Sequence, residues 1–214
     1  MIAILSGVSG SGKTTVCKAV AQAAQAGSIP TGGIVCGAVF ELGLKTGIEW
    51  ADLASGTGTL PVPLARVRAG FSGRKPGQTS PAFDDSDPHV LRYGMWEFSK
   101  MALEDADNAI VSYTGTHSGP DSGGNTGQHP PIIIVDEIGP LELDKGTGLI
   151  HTLAMLDKAA RQTEAGGMFL VVARPDIAAR LRERWPGSVK VDMIGTGNEN
   201  TAETIFAVYN LQLK

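Results

Sequence analysis

A glycine-rich loop between an apolar run and an alanine-rich segment constrains the fold more than any other part of the chain. Residues 2–5 are apolar, and residues 7–15 follow at once with the sequence GVSGSGKTT. This matches the pattern G-x-x-x-x-G-K-[ST], which forms a phosphate-binding loop when a β-strand precedes it and an α-helix follows it. Residues 13–26 favour a helix, whose dipole would direct its positive end at the same phosphates. We therefore predict that nucleotide phosphates contact Gly7, Val8, Ser9, Gly10, Ser11, Gly12, Lys13, Thr14 and Thr15.

The last residues of this loop predict two specific roles. Glycines allow the backbone N–H groups to turn inward and form an anion-binding cradle. The ammonium group of Lys13 can then reach the β- and γ-phosphates, and the hydroxyl group of Thr14 can bind Mg²⁺. We therefore predict that Lys13 takes part in catalysis and that Mg²⁺ is the cofactor, with Thr14 among its ligands.

A second candidate motif lies where a continuous apolar run ends. Residues 132–135 read IIIV, which is typical of a central parallel strand buried on both faces, and Asp136 and Glu137 follow them. Ligands of open α/β sheets bind beyond the carboxyl ends of the strands. Asp136 is therefore predicted to hold Mg²⁺ together with Thr14. Glu137 is predicted to be the catalytic group that accepts a proton from, or orients, the attacking water.

An arginine is the third catalytic candidate, because transfer of a γ-phosphate builds up negative charge that a guanidinium group can stabilise. Arg174 follows the apolar run of residues 168–173 and should emerge at the same edge of the sheet as Asp136. Arg66, which follows a short predicted strand, is an alternative. An arginine supplied by another chain is a third possibility.

Strands alternating with helices along the chain predict a three-layer α/β fold with a mostly parallel sheet. Residues 33–40 and 48–53 should add an antiparallel hairpin. An amphipathic pattern predicts a helix from Met95 to Ile110, with Asp107 on its exposed face. We expect one domain over residues 1–214.

Two segments are predicted to be loops within this domain. Residues 70–88 are polar and rich in Gly, Pro, Ser and Asp, and predict a mobile loop. Residues 112–131 almost lack large apolar side chains, so they should form a flexible glycine-rich insertion that cannot bury enough surface to fold.

Composition narrows the classes of function. The net charge of −4 without a basic cluster argues against nucleic acid as the main partner. No apolar run approaches the roughly 20 residues of a membrane helix, so no membrane partner is expected. The first strand is predicted to begin at Ile2, so no signal peptide is expected. Only two cysteines, Cys17 and Cys36, are present. These features together predict a cytoplasmic protein with free thiols.

Five stretches of the sequence occur in the order found in one known family. The chain resembles the small P-loop nucleoside-triphosphatases known as the cancer-related NTPase family. This resemblance implies a RecA-like P-loop core and Mg²⁺-dependent hydrolysis of ATP, GTP and other nucleoside triphosphates. The stretches that carry it are residues 7–15 (GVSGSGKTT), 32–40 (GGIVCGAVF), 64–66 (LAR), 93–98 (YGMWEF) and 135–143 (VDEIGPLEL).

The family resemblance assigns Lys13, Thr14, Asp136 and Glu137 the roles given above. The chain departs from the residues common in the family at Ser9, Pro140 and Thr201, where Pro, Lys and Arg are usual.

Three functions remain open at the level of sequence. The first is a nucleoside-triphosphatase that acts on ATP or GTP. The second is a nucleotide or small-molecule kinase, in which residues 70–88 would form a lid. The third is a slow nucleotide-dependent switch that acts on an unknown protein client. The carboxylate of Glu137 beside Asp136 favours water as the acceptor, and therefore favours the first.

Overall fold

A computed structural model describes residues 1–55, 60–70, 83–117, 129–162, 167–193 and 198–210. Within this part of the chain ten strands form one sheet. In chain order the strands are β1 (Ile2–Ser6), β2 (Thr31–Glu41), β3 (Leu44–Asp52), β4 (Val62–Val67), β5 (Phe83–Asp84), β6 (Val90–Tyr93), β7 (Trp96–Ser99), β8 (Ile132–Val135), β9 (Met168–Ala173) and β10 (Val189–Asp192).

Helices cover both faces of this sheet. They are α1 (Lys13–Ala26), α2 (Lys100–His117), α3 (Ile150–Ala159), α4 (Pro175–Arg184) and α5 (Asn198–Asn210), and a π-helical turn spans Leu141–Lys145. Pro175 is the first residue of α4, where its missing N–H group and fixed φ suit the first helical turn.

The sheet has a parallel half and an antiparallel half. Its strand order is β10-β1-β9-β8-β2-β3-β4-β7-β6-β5. Strands β10, β1, β9, β8 and β2 run parallel, and β3 pairs antiparallel with β2 as the predicted hairpin. One strand, β9, therefore separates β1, which leads into the phosphate-binding loop, from β8, which leads into Asp136.

Two hydrophobic cores make the molecule three layers thick. Alternate residues of β1 and β8 point to opposite faces, because successive side chains of a strand alternate. Ile4 and Val135 pack with α2, α3 and α4 on one face. Leu5 and Ile134 pack with α1 and α5 on the other. The predicted three-layer α/β class is confirmed. The prediction of a mostly parallel sheet is wrong, because five of the nine strand pairings in the described residues are antiparallel.

The predicted helix from Met95 to Ile110 is wrong at its start. Trp96–Ser99 is strand β7, which pairs with β4 and β6, and α2 begins at Lys100. Glu97 accepts hydrogen bonds from Arg66 and Arg92 on the two neighbouring strands. Pairing with strands distant in sequence therefore overrides the helical pattern.

Asp107 was predicted to be exposed, but only 2% of it is exposed. Its carboxylate accepts hydrogen bonds from the backbone N–H groups of His151 and Thr152 in the first turn of α3. The carboxylate thus caps one helix from another, which the periodicity of a single helix cannot reveal.

Most of the two predicted loops lies outside the described residues. Of the loop predicted at 70–88, residues 83 and 84 form β5. Of the insertion predicted at 112–131, residues 112–117 belong to α2 instead. None of the helices in the described ranges is long and apolar enough to cross a membrane.

Candidate nucleotide-binding site

The loop between β1 and α1 has the backbone that phosphate binding needs. Gly12 precedes α1 and has a φ of 90°, a backbone conformation that residues other than glycine rarely adopt. Gly7 is enclosed, because a Cβ atom there would lie 2.6 Å from Ser11 Oγ and 2.7 Å from Met193 Cγ. The backbone conformation therefore favours glycine at position 12, and a side chain at position 7 would require Ser11 and Met193 to shift.

The side chain of Lys13 is held over this loop by backbone carbonyl groups of the loop. Its Nζ donates hydrogen bonds to the carbonyl oxygens of Gly7, at 2.6 Å, and Val8, at 2.7 Å. Desolvation by burial lowers the pKa of Lys13, and the nearby charges of Glu137 and Asp136 oppose that shift. The ammonium group is thus positioned at the mouth of the loop, where the phosphates of a nucleotide would enter.

A hydrogen-bonded network joins the loop to the end of β8. Asp136 Oδ2 accepts hydrogen bonds from Thr14 Oγ1 and from the backbone N–H of Cys36, both at 2.9 Å. Asp136 is only 3% exposed. Burial raises its pKa to about 6, although the two hydrogen bonds favour the charged form. The structure therefore brings together the two residues predicted to bind Mg²⁺.

Glu137 adopts a strained backbone conformation. Its φ is 87°, which is unusual for any residue except glycine. The next residue is fixed, because the N–H of Ile138 donates to the carbonyl oxygen of Val172 on β9 at 3.0 Å. Strain of this kind occurs at functional sites, where surrounding contacts hold it in place. Here it accompanies a change from the buried Asp136 to a half-exposed Glu137 side chain.

The structure places Arg174 next to Glu137 and keeps Arg66 away. Arg174 Nε lies 3.8 Å from Glu137 Oε1, and both side chains are about half exposed. Arg66 instead forms an ion pair with Glu97 across strands β4 and β7, and its side chain is 78% exposed. Of the two arginines on this chain proposed from the sequence, only Arg174 lies at the candidate site. Its catalytic role stays a prediction.

Glu142 is a buried residue of this region that was not predicted from the sequence. Its two carboxylate oxygens accept hydrogen bonds from the N–H groups of Gly139, at 2.9 Å, and Leu149, at 3.1 Å. The carboxylate therefore ties the segment after Glu137 to the residue that precedes α3. Its position six residues after Asp136 could have indicated Glu142. A single acidic residue in a loop is a weak signal, however, when its hydrogen-bond donors are unknown.

The titration of Glu142 yields a testable prediction for stability. Burial raises its pKa from 4.5 to about 7. Between these values the folded state binds more protons than the unfolded chain, so the free energy of unfolding should fall as pH rises. Part of this fall should disappear in Glu142→Gln, and none of it in the exposed control Glu203→Gln. Urea unfolding in metal-free buffer across this pH window measures the difference, and equal slopes in the three proteins would contradict the assignment.

Two solved structures share the fold of this chain. The crystal structure of THEP1 from the hyperthermophile Aquifex aeolicus superposes with a TM-score of 0.61 at 17% identity, covering 98% of this chain and 99% of that one. The solution structure of a human cancer-related nucleoside triphosphatase superposes with a TM-score of 0.60 at 18% identity, covering 97% of each chain.

Sequence comparison gives the same relationship. A family model described as NTPase matches residues 2–93. The Nucleoside-triphosphatase THEP1 of Methanopyrus kandleri is 27% identical over 207 residues, which are 94% of this chain and 91% of that protein. The resemblance to the cancer-related NTPase family is confirmed, and the predicted enzyme class, a nucleoside-triphosphatase, is the one that the names of these relatives give.

Proposed function

We propose that this protein is an Mg²⁺-dependent nucleoside-triphosphatase that hydrolyses the γ-phosphate of ATP- and GTP-type nucleotides. The observation that carries the proposal is the 2.9 Å hydrogen bond between Thr14 Oγ1 and Asp136 Oδ2. It joins the phosphate-binding loop to the strand end that bears Glu137. Groups suited to bind phosphate and a carboxylate suited to handle water therefore occupy neighbouring positions.

The donor set fits Mg²⁺. Thr14 and Asp136 offer hard oxygen atoms, and the described residues contain no cluster of three or more His, Cys, Asp or Glu side chains that could enclose a metal ion. Mg²⁺ is usually bound through one or two carboxylates, phosphate oxygens and several waters rather than by an all-protein cage. When bound, this ion neutralises the charge that develops on the β- and γ-phosphates.

The chain's own residues divide the remaining work. The ammonium group of Lys13 would leave the carbonyl oxygens of Gly7 and Val8 to bind the phosphates. Glu137 would orient a water molecule and accept its proton as the water oxygen attacks the γ-phosphorus. The bond between that phosphorus and the β–γ bridging oxygen then breaks, and the nucleoside diphosphate leaves. Arg174, next to Glu137, is positioned to stabilise the charge on the transferred group.

Phosphate release from a panel of nucleoside triphosphates, with and without Mg²⁺, tests this proposal. We expect inorganic phosphate and nucleoside diphosphate in equal amounts, and loss of the reaction when Mg²⁺ is removed. Nucleotide that binds without being hydrolysed would point to the switch function. Phosphate found on an added acceptor rather than in solution would point to a kinase.

Lys13→Ala is the matched test of the binding site. It removes a charged hydrogen-bonding partner of the phosphates, a contact that contributes roughly 1.5–3 kcal/mol, so nucleotide should bind about ten- to a hundredfold more weakly. Lys18→Ala, five residues further along the same helix, serves as the control and should bind normally. Calorimetric titration with Mg²⁺-nucleotide measures both, and circular dichroism checks the fold. Normal binding by a folded Lys13→Ala variant would remove this loop from the site.

The proposed setting is the cytoplasm. Cys17 and Cys36 are both free thiols. This is the state that a reducing compartment maintains. A protein client of this enzyme also stays a prediction.

A further inference from the structure

A large cavity adjoins the candidate site. Its volume is about 790 Å³, and it lies on the face of the sheet that is covered by α2. Pockets of roughly 300–1,000 Å³ hold small organic ligands, and most of their lining is apolar. The far part of this cavity has that character, since its wall is formed by Ile48, Leu64, Trp96, Phe98, Leu103 and Ala106.

One end of the cavity is lined by residues predicted to contact phosphate, to bind Mg²⁺ or to act in catalysis. Ser9, Asp136, Glu137 and Arg174 all line it. It is therefore continuous with the reacting end of the nucleotide site. The apolar wall and the catalytic carboxylate belong to one space.

The expected orientation of a bound nucleoside triphosphate places its base and ribose away from this cavity. In a phosphate-binding loop the backbone N–H groups cradle the α- and β-phosphates, and the lysine reaches the β- and γ-phosphates. The γ-phosphate is therefore the end beside Asp136 and Glu137. The cavity is lined by Glu137 and also by Ile48 and Leu64, which lie on strands outside the phosphate-binding loop. We therefore place the base and ribose, which lie at the opposite end of the phosphate chain, outside this cavity.

Most of the charged groups that line the cavity have partners. Lys45 Nζ lies 5.2 Å from the centre of the Trp96 ring. The carboxylate of Glu142 accepts two backbone hydrogen bonds. Glu137 and Arg174 face each other at 3.8 Å. A ligand here needs no charge of its own, whereas a hydroxyl group could donate to Glu137 and accept from Arg174.

We propose that this cavity binds a second small molecule, which is uncharged and largely apolar and places one hydroxyl group beside Glu137 and Arg174. The inference rests on the proposed function, because it takes the position of the γ-phosphate from that site. It adds a binding site for a ligand other than the nucleotide. Bound there, the hydroxyl group occupies the place of the attacking water, so the ligand should slow phosphate release.

The test uses 2-naphthol, which has a fused aromatic body, one hydroxyl group and no charge at neutral pH. Calorimetric titration is carried out with the full chain, both free and saturated with Mg²⁺ and the non-hydrolysable ATP analogue AMP-PNP. We expect binding in both states. Displacement of 2-naphthol by AMP-PNP would assign the cavity to the nucleotide and overturn the proposal, as would the absence of binding up to the solubility limit.

Ala106→Leu supplies the matched variant, because Ala106 lies on α2 and lines the cavity. The larger side chain should weaken the binding of 2-naphthol at least tenfold and leave the binding of AMP-PNP unchanged. Ala109→Leu makes the same change on the same helix outside the cavity lining and should bind normally. If Ala106→Leu does not fold, Met95→Trp narrows the cavity from a partly exposed position. Equal affinity of a folded cavity variant and the wild type would overturn the proposal.

Two outcomes keep the proposals apart. Failure of AMP-PNP to bind the wild type contradicts the proposed nucleotide site, whatever 2-naphthol does. Normal AMP-PNP binding without a 2-naphthol site contradicts only the second-ligand proposal. In the wild type, phosphate release should fall as 2-naphthol saturates the protein, and it should stay constant in the cavity variant.

Discussion

Glu137→Gln is expected to bind Mg²⁺-nucleotide as tightly as the wild type but to release phosphate at least about 10²-fold more slowly. Loss of a general base typically costs 10²- to 10⁴-fold in rate. Glutamine keeps the size of the side chain, yet it cannot accept a proton from water. Because Glu137 is half exposed and its neighbour Asp136 carries the link to Thr14, the substitution should leave the phosphate and metal positions intact.

Binding and chemistry must be measured separately to test this. Calorimetry gives the affinity, and rapid-quench single-turnover kinetics give the chemical step. The control is Glu203→Gln on α5, which packs on the opposite face of the sheet and should behave as the wild type does. Normal single-turnover rates in both Glu137→Gln and the control would mean that another group activates water. The kinase function would then become the better explanation.

The parts of the site that could be predicted are those encoded by neighbouring residues. A phosphate-binding loop needs glycines, a lysine and a hydroxyl group at fixed spacing, so residues 7–15 reveal it directly. A strand buried on both faces shows as a continuous apolar run, so residues 132–135 also reveal where Asp136 emerges. The meeting of Thr14 and Asp136 then follows from the rule that parallel strands end at the same edge.

The parts that could not be predicted depend on partners distant in the chain. The pattern of α2 alone makes Asp107 look like a surface acid. In the structure its carboxylate caps the first turn of α3. Glu142 accepts one hydrogen bond from a residue three positions before it and another from a residue seven positions after it. The strand β7 requires β4 and β6 on either side. None of these partners is implied by local periodicity.

The backbone of Glu137 is the clearest case. A left-handed conformation is usually marked in sequence by glycine, asparagine or aspartate, and here it falls on a glutamate at φ 87°. The contacts that fix it come from β9, through Val172, and from Glu142, through Gly139. Sequence therefore located the residue but could not show that its conformation is strained.

Arg174→Ala is expected to lower turnover by about 10³- to 10⁵-fold with little change in nucleotide affinity, if this arginine stabilises the transferred phosphate in the same chain. The ion pair with Glu137 does not prevent this. Pairs between half-exposed side chains contribute only about 0–1 kcal/mol, so Arg174 can turn from Glu137 to the phosphate at little cost.

The fold should tolerate this substitution, which makes its kinetics interpretable. Arg174 supports α4 through its backbone, because its carbonyl oxygen accepts a hydrogen bond from the N–H of Ala178. Alanine retains that bond. Arg66→Ala is the control: Arg66 pairs with Glu97 on the antiparallel part of the sheet, away from Glu137, so turnover should not change.

Concentration dependence decides where the arginine comes from. An arginine in the same chain gives a turnover number that is independent of protein concentration and is lost in Arg174→Ala. If neither Arg174→Ala nor Arg66→Ala changes the turnover and the wild type itself is very slow, the guanidinium group comes from another chain. Lys13 and Thr14 would then complete a site that binds nucleotide but waits for a partner, and the protein would act as a partner-activated switch rather than a self-contained enzyme.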